Sequence, residues 1–562
     1  MNRGSEILRA VVVAAALTAG WVFVNADKPL SIDDPFFVYW ARTISPRAGD
    51  TSMRNVNWQK FEEPLASQTG HYMPGWSIVL AAARHAVGER ERLLHWLQWP
   101  FATMFLVGVF LIARVLRAPP WASMLVCASS AAFLVPAASL MADMPAMGLG
   151  ILGLAVWIAA PSLGGRIAGG VLLGLAGWMK QSVLVLYPLL VLDPAGGLVR
   201  RPRDWIIAVL SFALAGRYPD VPPHDPERSS ILGHIAWILQ STWNPILIRA
   251  KISYMLAASG ALLLTPAAYA FSLLARRRET LPRERLRYLA LCALAIPVLS
   301  ALGFWKARHL GGIKIASTPG TLNDLWFYSS IALFLAWCIA VLWPRRDAAI
   351  RWLVAWFLLD AAGSVVGTWL PGVRHLIPAL PPLAMFFLID IHRSCGARAA
   401  RAGVAITVAA NLWLGLSLAR NDYAFAAWCR DAAAKGAVRA AAARLPLLTT
   451  GSWGLRYYTE RAGGRILDRS TEILPRGAVF LVPTLTDRRE LPAALRRRSR
   501  RIETLVCPPS RLRPLILPVL TVPPVRTMGS FHGGYVWFPY AFSRAPSETI
   551  RVLQIRPRLL LR

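Results

Sequence analysis

Acidic residues are scarce in this chain. Its 562 residues include 30 Asp and Glu against 62 Lys and Arg, a formal net charge of +32, and charged residues of both signs make up only 16%. So little charge excludes an ordinary soluble protein of this size, which would carry far more polar loop. The basic excess does not point to nucleic acid, because no repeated basic and aromatic surface pattern accompanies it. Within the hydrophobic part the arginines cluster in short loops instead, as the positive-inside rule expects of a cytoplasmic face. Cysteine is scarce too, with six in all. Cys127, Cys292 and Cys338 lie in apolar segments and Cys395 in a basic loop. Cys429 and Cys507 fall in a polar tail, where a disulfide between them fits only if that tail lies outside an oxidising membrane. No Cys/His cluster has metal-ligand spacing, and no Gly-rich phosphate loop follows a strand.

Apolar sequence is abundant. Hydrophobic residues make up 55%, tryptophan occurs 23 times, and the mean hydropathy is +0.44. Apolar segments of roughly 17–25 residues, the length that crosses a bilayer, recur through the first three quarters of the chain. The class is a polytopic helical membrane protein. The opening "MNRGSEILRAVVVAAALTAGWVFVNA" has no clean small-residue cleavage site before the acidic stretch that follows, so it reads as a retained first helix.

Charge sets the threading. Arg-rich connections occur at 114–120, 161–166, 200–204, 275–287, 343–351 and 392–401, and the N-terminus carries Arg3 and Arg9. If all of these are cytoplasmic, each consecutive pair of loops is separated by two crossings: 121–141 with 145–160, 167–179 with 183–192, 205–216 with 252–274, 288–304 with 325–342, and 352–370 with 376–391. The segment 73–88, "MPGWSIVLAAARHAVG", breaks this parity unless it lies along the membrane surface or enters it only partly. About thirteen crossings result, and residues 420–562 end outside.

That threading was set without reference to six polar residues that it then brings to one extracytoplasmic face. Asp33 and Asp34 lie in "SIDDPFFVYW" and Asp143 in "LMADMPAMG". Lys180 lies in "GWMKQSV", and Arg374 and His375 in "LPGVRHLIPALPP". A carboxylate at the lipid boundary is partly desolvated, which raises its proton affinity toward the range useful to a general base. A cation there can hold a phosphate. Each residue also has an ordinary structural explanation. The acid pair can orient the first helix, Asp143 can complement a helix dipole, Lys180 can snorkel to the interface, and Arg374 can anchor a headgroup.

The order of these motifs carries a resemblance. "DDPFF" after the first helix, "HYMPGW" before a short apolar stretch, "LMADMP", "GLAGWMK" and "RHLIPALPPLA" together span residues 31 to about 387. In this order they resemble the GT-C glycosyltransferases, in particular the bacterial relatives of protein O-mannosyltransferases and lipid A aminoarabinose transferases. The resemblance implies transfer of a sugar from a polyprenyl-phosphate donor to a hydroxyl of a lipid, glycan or protein acceptor. It implies Asp33 as general base with Asp34 as its neighbour, Asp143 as the acid shaping the acceptor site, and Lys180 and Arg374 as cations meeting the lipid phosphate. His71 and His375 join the substrate-binding set. His71 opens "HYMP" where the family carries a double proline, and His375 stands where a tyrosine is commoner. No organic cofactor is implied, and use of a divalent cation is left open. A polytopic lipid or solute transporter is the rival class, with Asp360 in "WFLLDAAGS" as its candidate coupling residue.

The tail changes character. "LPLLTTGSWGLRYYTERAGGRIL" at 445–467 reads as a strand, a Gly-rich turn and a helix, and 477–485 reads as a short buried strand. "RIETLVC" and "TIRVLQIRP" suggest further strands. The expected fold is therefore an all-α polytopic GT-C-like transmembrane domain over 1–419 and a small extracytoplasmic α/β domain over 420–562. The polar loop at 217–250 is expected to cover a donor cavity, and the aromatic run at 529–542 to form a packed turn rather than a carbohydrate-binding surface.

Overall fold

The structure is a computed structural model that describes residues 3–44, 74–192, 199–215, 347–367, 373–394, 397–451, 453–467, 477–483, 499–507 and 548–555, with a few short stretches between them. His71, the loop 217–250, the span expected at 288–304 and the aromatic run 529–542 lie outside the described residues, as do nearly all residues of the spans expected at 252–274 and 325–342.

Helix dominates, as the apolar runs require. The first helix, α1, covers Arg3–Asn25. Leu8, Val12, Phe23 and Val24 stand exposed along it, a surface suited to lipid rather than water. After an acidic turn comes the short α2, Asp34–Thr43. Then follow α3 (Gly75–Val87), α4 (Glu91–His95) and α5 (Gln98–Val115). At 13 residues α3 is shorter than the ~20 needed to cross hydrocarbon as a straight helix.

The span expected at 121–141 is broken. It consists of α6 (Pro120–Ser129) and α7 (Ala131–Ala137), which meet at 62°. Ser130 is the cause: its backbone is extended, and its hydroxyl accepts from the Ala132 N–H to cap a new helix. Next are α8 (Asp143–Ala159) and α9 (Leu163–Met179). These two approach closely where glycines face each other. A Cβ on Gly153 would lie 2.9 Å from the Gly169 carbonyl oxygen, and one on Gly169 would lie 2.8 Å from that of Gly153. The span expected at 183–192 is not α-helical but a 3-10 helix, Gln181–Leu190. Its Pro188 has no N–H to give to an α-helical ladder.

Further along are α10 (Pro202–Ala215), α11 (Ala348–Gly367), a 3-10 turn at Val373–Leu376, and α12 (Leu380–Ser394). The last long element, α13, runs unbroken over Ala397–Ala442. Its 46 residues span about 69 Å, more than twice the hydrocarbon thickness, and the boundary expected after residue 419 falls inside it. Among the described residues four helices are long and apolar enough to cross a membrane, and the bent pair makes a fifth candidate. The chain is an integral membrane protein.

Ion pairs tie together loops that the charge pattern assigns to one face. Arg114 meets Glu6 and Arg166 meets Asp204, both at 3.6 Å, and Arg393 meets Asp347 at 2.5 Å.

Among the described residues of the tail, strands and a helix stand where the pattern reads them. Strand β1 (Leu447–Thr449), helix α14 (Trp453–Arg461) and strand β2 (Arg465–Ile466) form a parallel βαβ unit. With β3 (Val479–Pro483), β4 (Ser499–Cys507) and β5 (Glu548–Ile555) they make a five-stranded sheet of order β2-β1-β3-β5-β4. Strand β3 is parallel to β1 and antiparallel to β5. It buries both faces with period two: Val479 and Leu481 join the main core with Ala433 and Ala440 of α13, while Phe480 and Val482 belong to a second cluster with Leu448 and Leu553. Cys429 of α13 and Cys507 of β4 are both buried.

Candidate functional site

The paired acids sit at the start of α2, and the chain treats them differently. Asp33 occupies the N-cap position of that helix, yet its carboxylate caps nothing. It turns instead to Arg374, whose Nη1 donates to Asp33 Oδ2 at 3.0 Å. Arg374 is held in the 3-10 turn before α12, and the same Nη1 lies 3.6 Å from Met141 Sδ.

Met141 lies two residues before Asp143, the acid in the first turn of α8. Proline at 145 suits that turn, where no intrahelical donor is needed. Asp143 Oδ1 accepts from Lys180 Nζ at 2.5 Å. The lysine is placed there by a break in the chain. Helix α9 stops at Met179, Lys180 adopts extended backbone (φ −163°, ψ 135°), and the 3-10 helix begins at the next residue. Lys180 also interacts electrostatically with Arg374 and Asp33. Asp33, Asp143, Lys180 and Arg374 therefore form one group of two acid–base pairs, drawn from four separate parts of the chain.

The group is enclosed but not sealed. Side-chain exposure is 4% for Asp143, 8% for Lys180, 10% for Arg374 and 17% for Asp33. Asp143 Oδ2 is buried with no hydrogen-bond partner among the described residues, an unused acceptor position beside Lys180. His375 follows Arg374 in the same turn, is buried, and accepts through its carbonyl from Ser364 Oγ at 3.4 Å.

Asp34 faces the other way. It is fully buried, and its two oxygens accept from the Ser31 N–H (3.1 Å) and the Leu140 N–H (2.8 Å). Burial pushes this carboxyl up to about 7, against the pull of Lys28 and the two N–H groups. Its geometry is that of a staple between the first loop and the 139–143 connection. Because the two acids diverge, they do not offer a shared pair of ligands to a divalent ion. Among the described residues no three His, Cys, Asp or Glu side chains gather as a metal-binding set.

Sequence reasoning missed the side chains that hold this connection. Trp76 Nε1 donates to the Leu140 carbonyl at 2.5 Å, and Gln98 Nε2 donates to that of Met141 at 3.2 Å. It also missed a buried pair beneath Asp34, Lys28 with Asp422 of α13. The Lys28 carbonyl accepts from His95 Nε2 at 2.9 Å. Lys28 and Asp422 are 394 residues apart, and no motif marks either one. The one available hint was a lysine only five residues before the acid pair.

No family model matches this chain, and no curated protein does. Two solved structures of ArnT from Cupriavidus metallidurans, one bound to undecaprenyl phosphate and one in the apo state, align with 84% of this chain and 92% of theirs. Their identities are 14% and 15% and their TM-scores 0.35 and 0.30. A likeness at that level establishes neither the fold of the whole chain nor a shared site, so the functional reading rests on the residues themselves.

Proposed function

We propose that this protein is a GT-C-type membrane glycosyltransferase that moves a sugar from a polyprenyl-phosphate donor to an acceptor hydroxyl at the extracytoplasmic surface. The observation that carries the reading is the meeting of Asp33–Arg374 with Asp143–Lys180 in one partly enclosed group. Transfer from such a donor expels a phosphate, which is already a good leaving group. The site then has two tasks: to remove a proton from the acceptor, and to stabilise negative charge on the departing phosphate. A carboxylate performs the first and a pair of cations the second.

In this reading Asp33 is the base and Asp143 orients the acceptor through its unpartnered oxygen. Arg374 and Lys180 receive the phosphate, with His71 and His375 completing the substrate contacts. Asp34, first expected to share the catalysis, serves to hold the loop. The membrane part makes about thirteen crossings of the plasma membrane. The sheet-bearing tail, with the end of the molecule that carries the site, faces outward.

A transporter reading keeps one observation in its favour. Asp360 is buried within α11, and its Oδ2 has no hydrogen-bond partner among the described residues. Purified protein incubated with lipid-linked sugars separates the two readings. Sugar transfer or hydrolysis supports the enzyme, whereas movement of lipid or solute across vesicles without chemistry supports the transporter.

A further inference from the structure

The turn that presents Asp33 is backbone-strained. Asp34 N–H donates to the Ser31 carbonyl at 3.0 Å, closing a tight turn. Ile32, its first central residue, has φ at +50°, a place usually taken by glycine. A β-branched residue with positive φ is unfavourable by itself and persists only where its surroundings over-determine it.

The surroundings come from the C-terminal part of the chain. The Leu30 N–H donates to the Tyr458 hydroxyl oxygen at 2.8 Å, and that hydroxyl donates to Glu91 Oε2 at 2.6 Å. Arg461 meets the other oxygen of Glu91 at 2.5 Å. One turn earlier on α14, Gly454 lies so close to the loop that a Cβ there would stand 2.6 Å from the Leu30 carbonyl oxygen. Further out, the Tyr39 hydroxyl donates to Glu460, and Arg456 lies over the Tyr39 ring at 5.2 Å. The Leu30 N–H is thus hydrogen-bonded by one helix of the tail, and its C=O is closely approached by the same helix, two residues before the strained position.

We infer that Tyr458 and Gly454 of α14 are positioning residues that clamp the Leu30–Asp33 turn and so aim Asp33 at Arg374. The tail is then a working part of the site, not an appendage. This inference rests on the glycosyl-transfer reading for its effect on rate, but the clamp itself can be measured without activity.

The test compares full-length wild type with Tyr458→Phe, which deletes one oxygen atom and keeps the ring. Amide hydrogen exchange over residues 29–34 is expected to accelerate while that of Val479–Pro483 in the sheet stays unchanged. With a polyprenyl-phosphate sugar as donor, kcat is expected to fall about tenfold to a hundredfold at unchanged donor KM, the signature of a misplaced reacting group. Gly454→Ala is expected to act in the same direction and more strongly. If that variant does not fold, Tyr458→Phe still decides the matter. Unaltered exchange over 29–34, or faster exchange with unaltered kcat, overturns the inference. Were wild type to transfer no sugar, the glycosyltransferase reading would fall, and the exchange measurement alone would decide whether the clamp exists.

Discussion

Two clusters of charge lie side by side where the first loop meets the helices. One joins Asp33, Arg374, Asp143 and Lys180; the other joins Lys28 and Asp422 beneath Asp34. Both consist of acid–base pairs. In the first, Asp33 retains some exposure and Asp143 keeps an oxygen without a partner among the described residues. In the second, Lys28 and Asp34 are almost wholly inaccessible, and both Asp34 oxygens are bound by backbone N–H groups. Asp422 also keeps a buried oxygen without a hydrogen-bond partner among the described residues, so what separates the two clusters is the exposure of Asp33 and Arg374. A cluster with a route to solvent is equipped to meet a substrate, whereas one closed to solvent holds elements together. Asp33 and Asp34, adjacent in sequence, separate these two roles because the turn sends one to Arg374 and the other into the interior.

The comparison can be broken most forcefully at Asp33. Asp33→Asn is expected to lower transfer about a hundredfold to ten-thousandfold, the usual contribution of a general base, with thermal unfolding little changed. Retained activity in that variant would move the base elsewhere. Lys28→Met is expected to show the opposite profile. It leaves Asp422 as an uncompensated buried charge, at a cost of about 3–5 kcal/mol, readable by thermal unfolding in detergent. Adding Asp422→Leu should recover most of that loss, which would mark the pair as structural.

Titration sharpens the contrast further. Asp34 is raised in the folded state from its ordinary value of about 4 to about 7. Between those values the folded protein keeps a proton that the unfolded chain releases. The contribution of Asp34 is therefore fully present below about pH 4 and is lost as pH rises through about 7. Wild type is expected to lose stability relative to Asp34→Asn across that window. A constant difference would show that the carboxyl stays ionised in the fold. The smallest effect is expected at the opposite end of the molecule. The Arg393–Asp347 pair is 45% and 30% exposed, and Arg393→Ala should change stability by no more than about 1 kcal/mol.

Much of the architecture was legible because it follows from local chemistry. Apolar runs of bilayer length gave the helices at Arg3–Asn25 and Ala348–Gly367, and period-two burial gave the strand at Val479–Pro483. The break at Lys180 was foreshadowed by a polar residue between two apolar halves. Hydropathy does not register the internal geometry of an apolar run. Within 121–141 Ser130 caps a new helix, and 183–192 is wound as a 3-10 helix, which is as apolar as an α-helix.

The site divides in the same way. Sequence alone singled out Asp33, Asp34, Asp143, Lys180, Arg374 and His375, since charged residues are costly at a membrane boundary and stand out in a chain with few acids, and four of these six meet in the structure. It could not assign Asp34 to the interior, nor pair Lys28 with Asp422 across 394 residues. Nor could it show that a tyrosine of the tail grips the loop beside Asp33. Those decisions belong to the tertiary structure, because which backbone groups a carboxylate or hydroxyl reaches depends on how distant segments pack, and hydropathy and motif order carry no record of that.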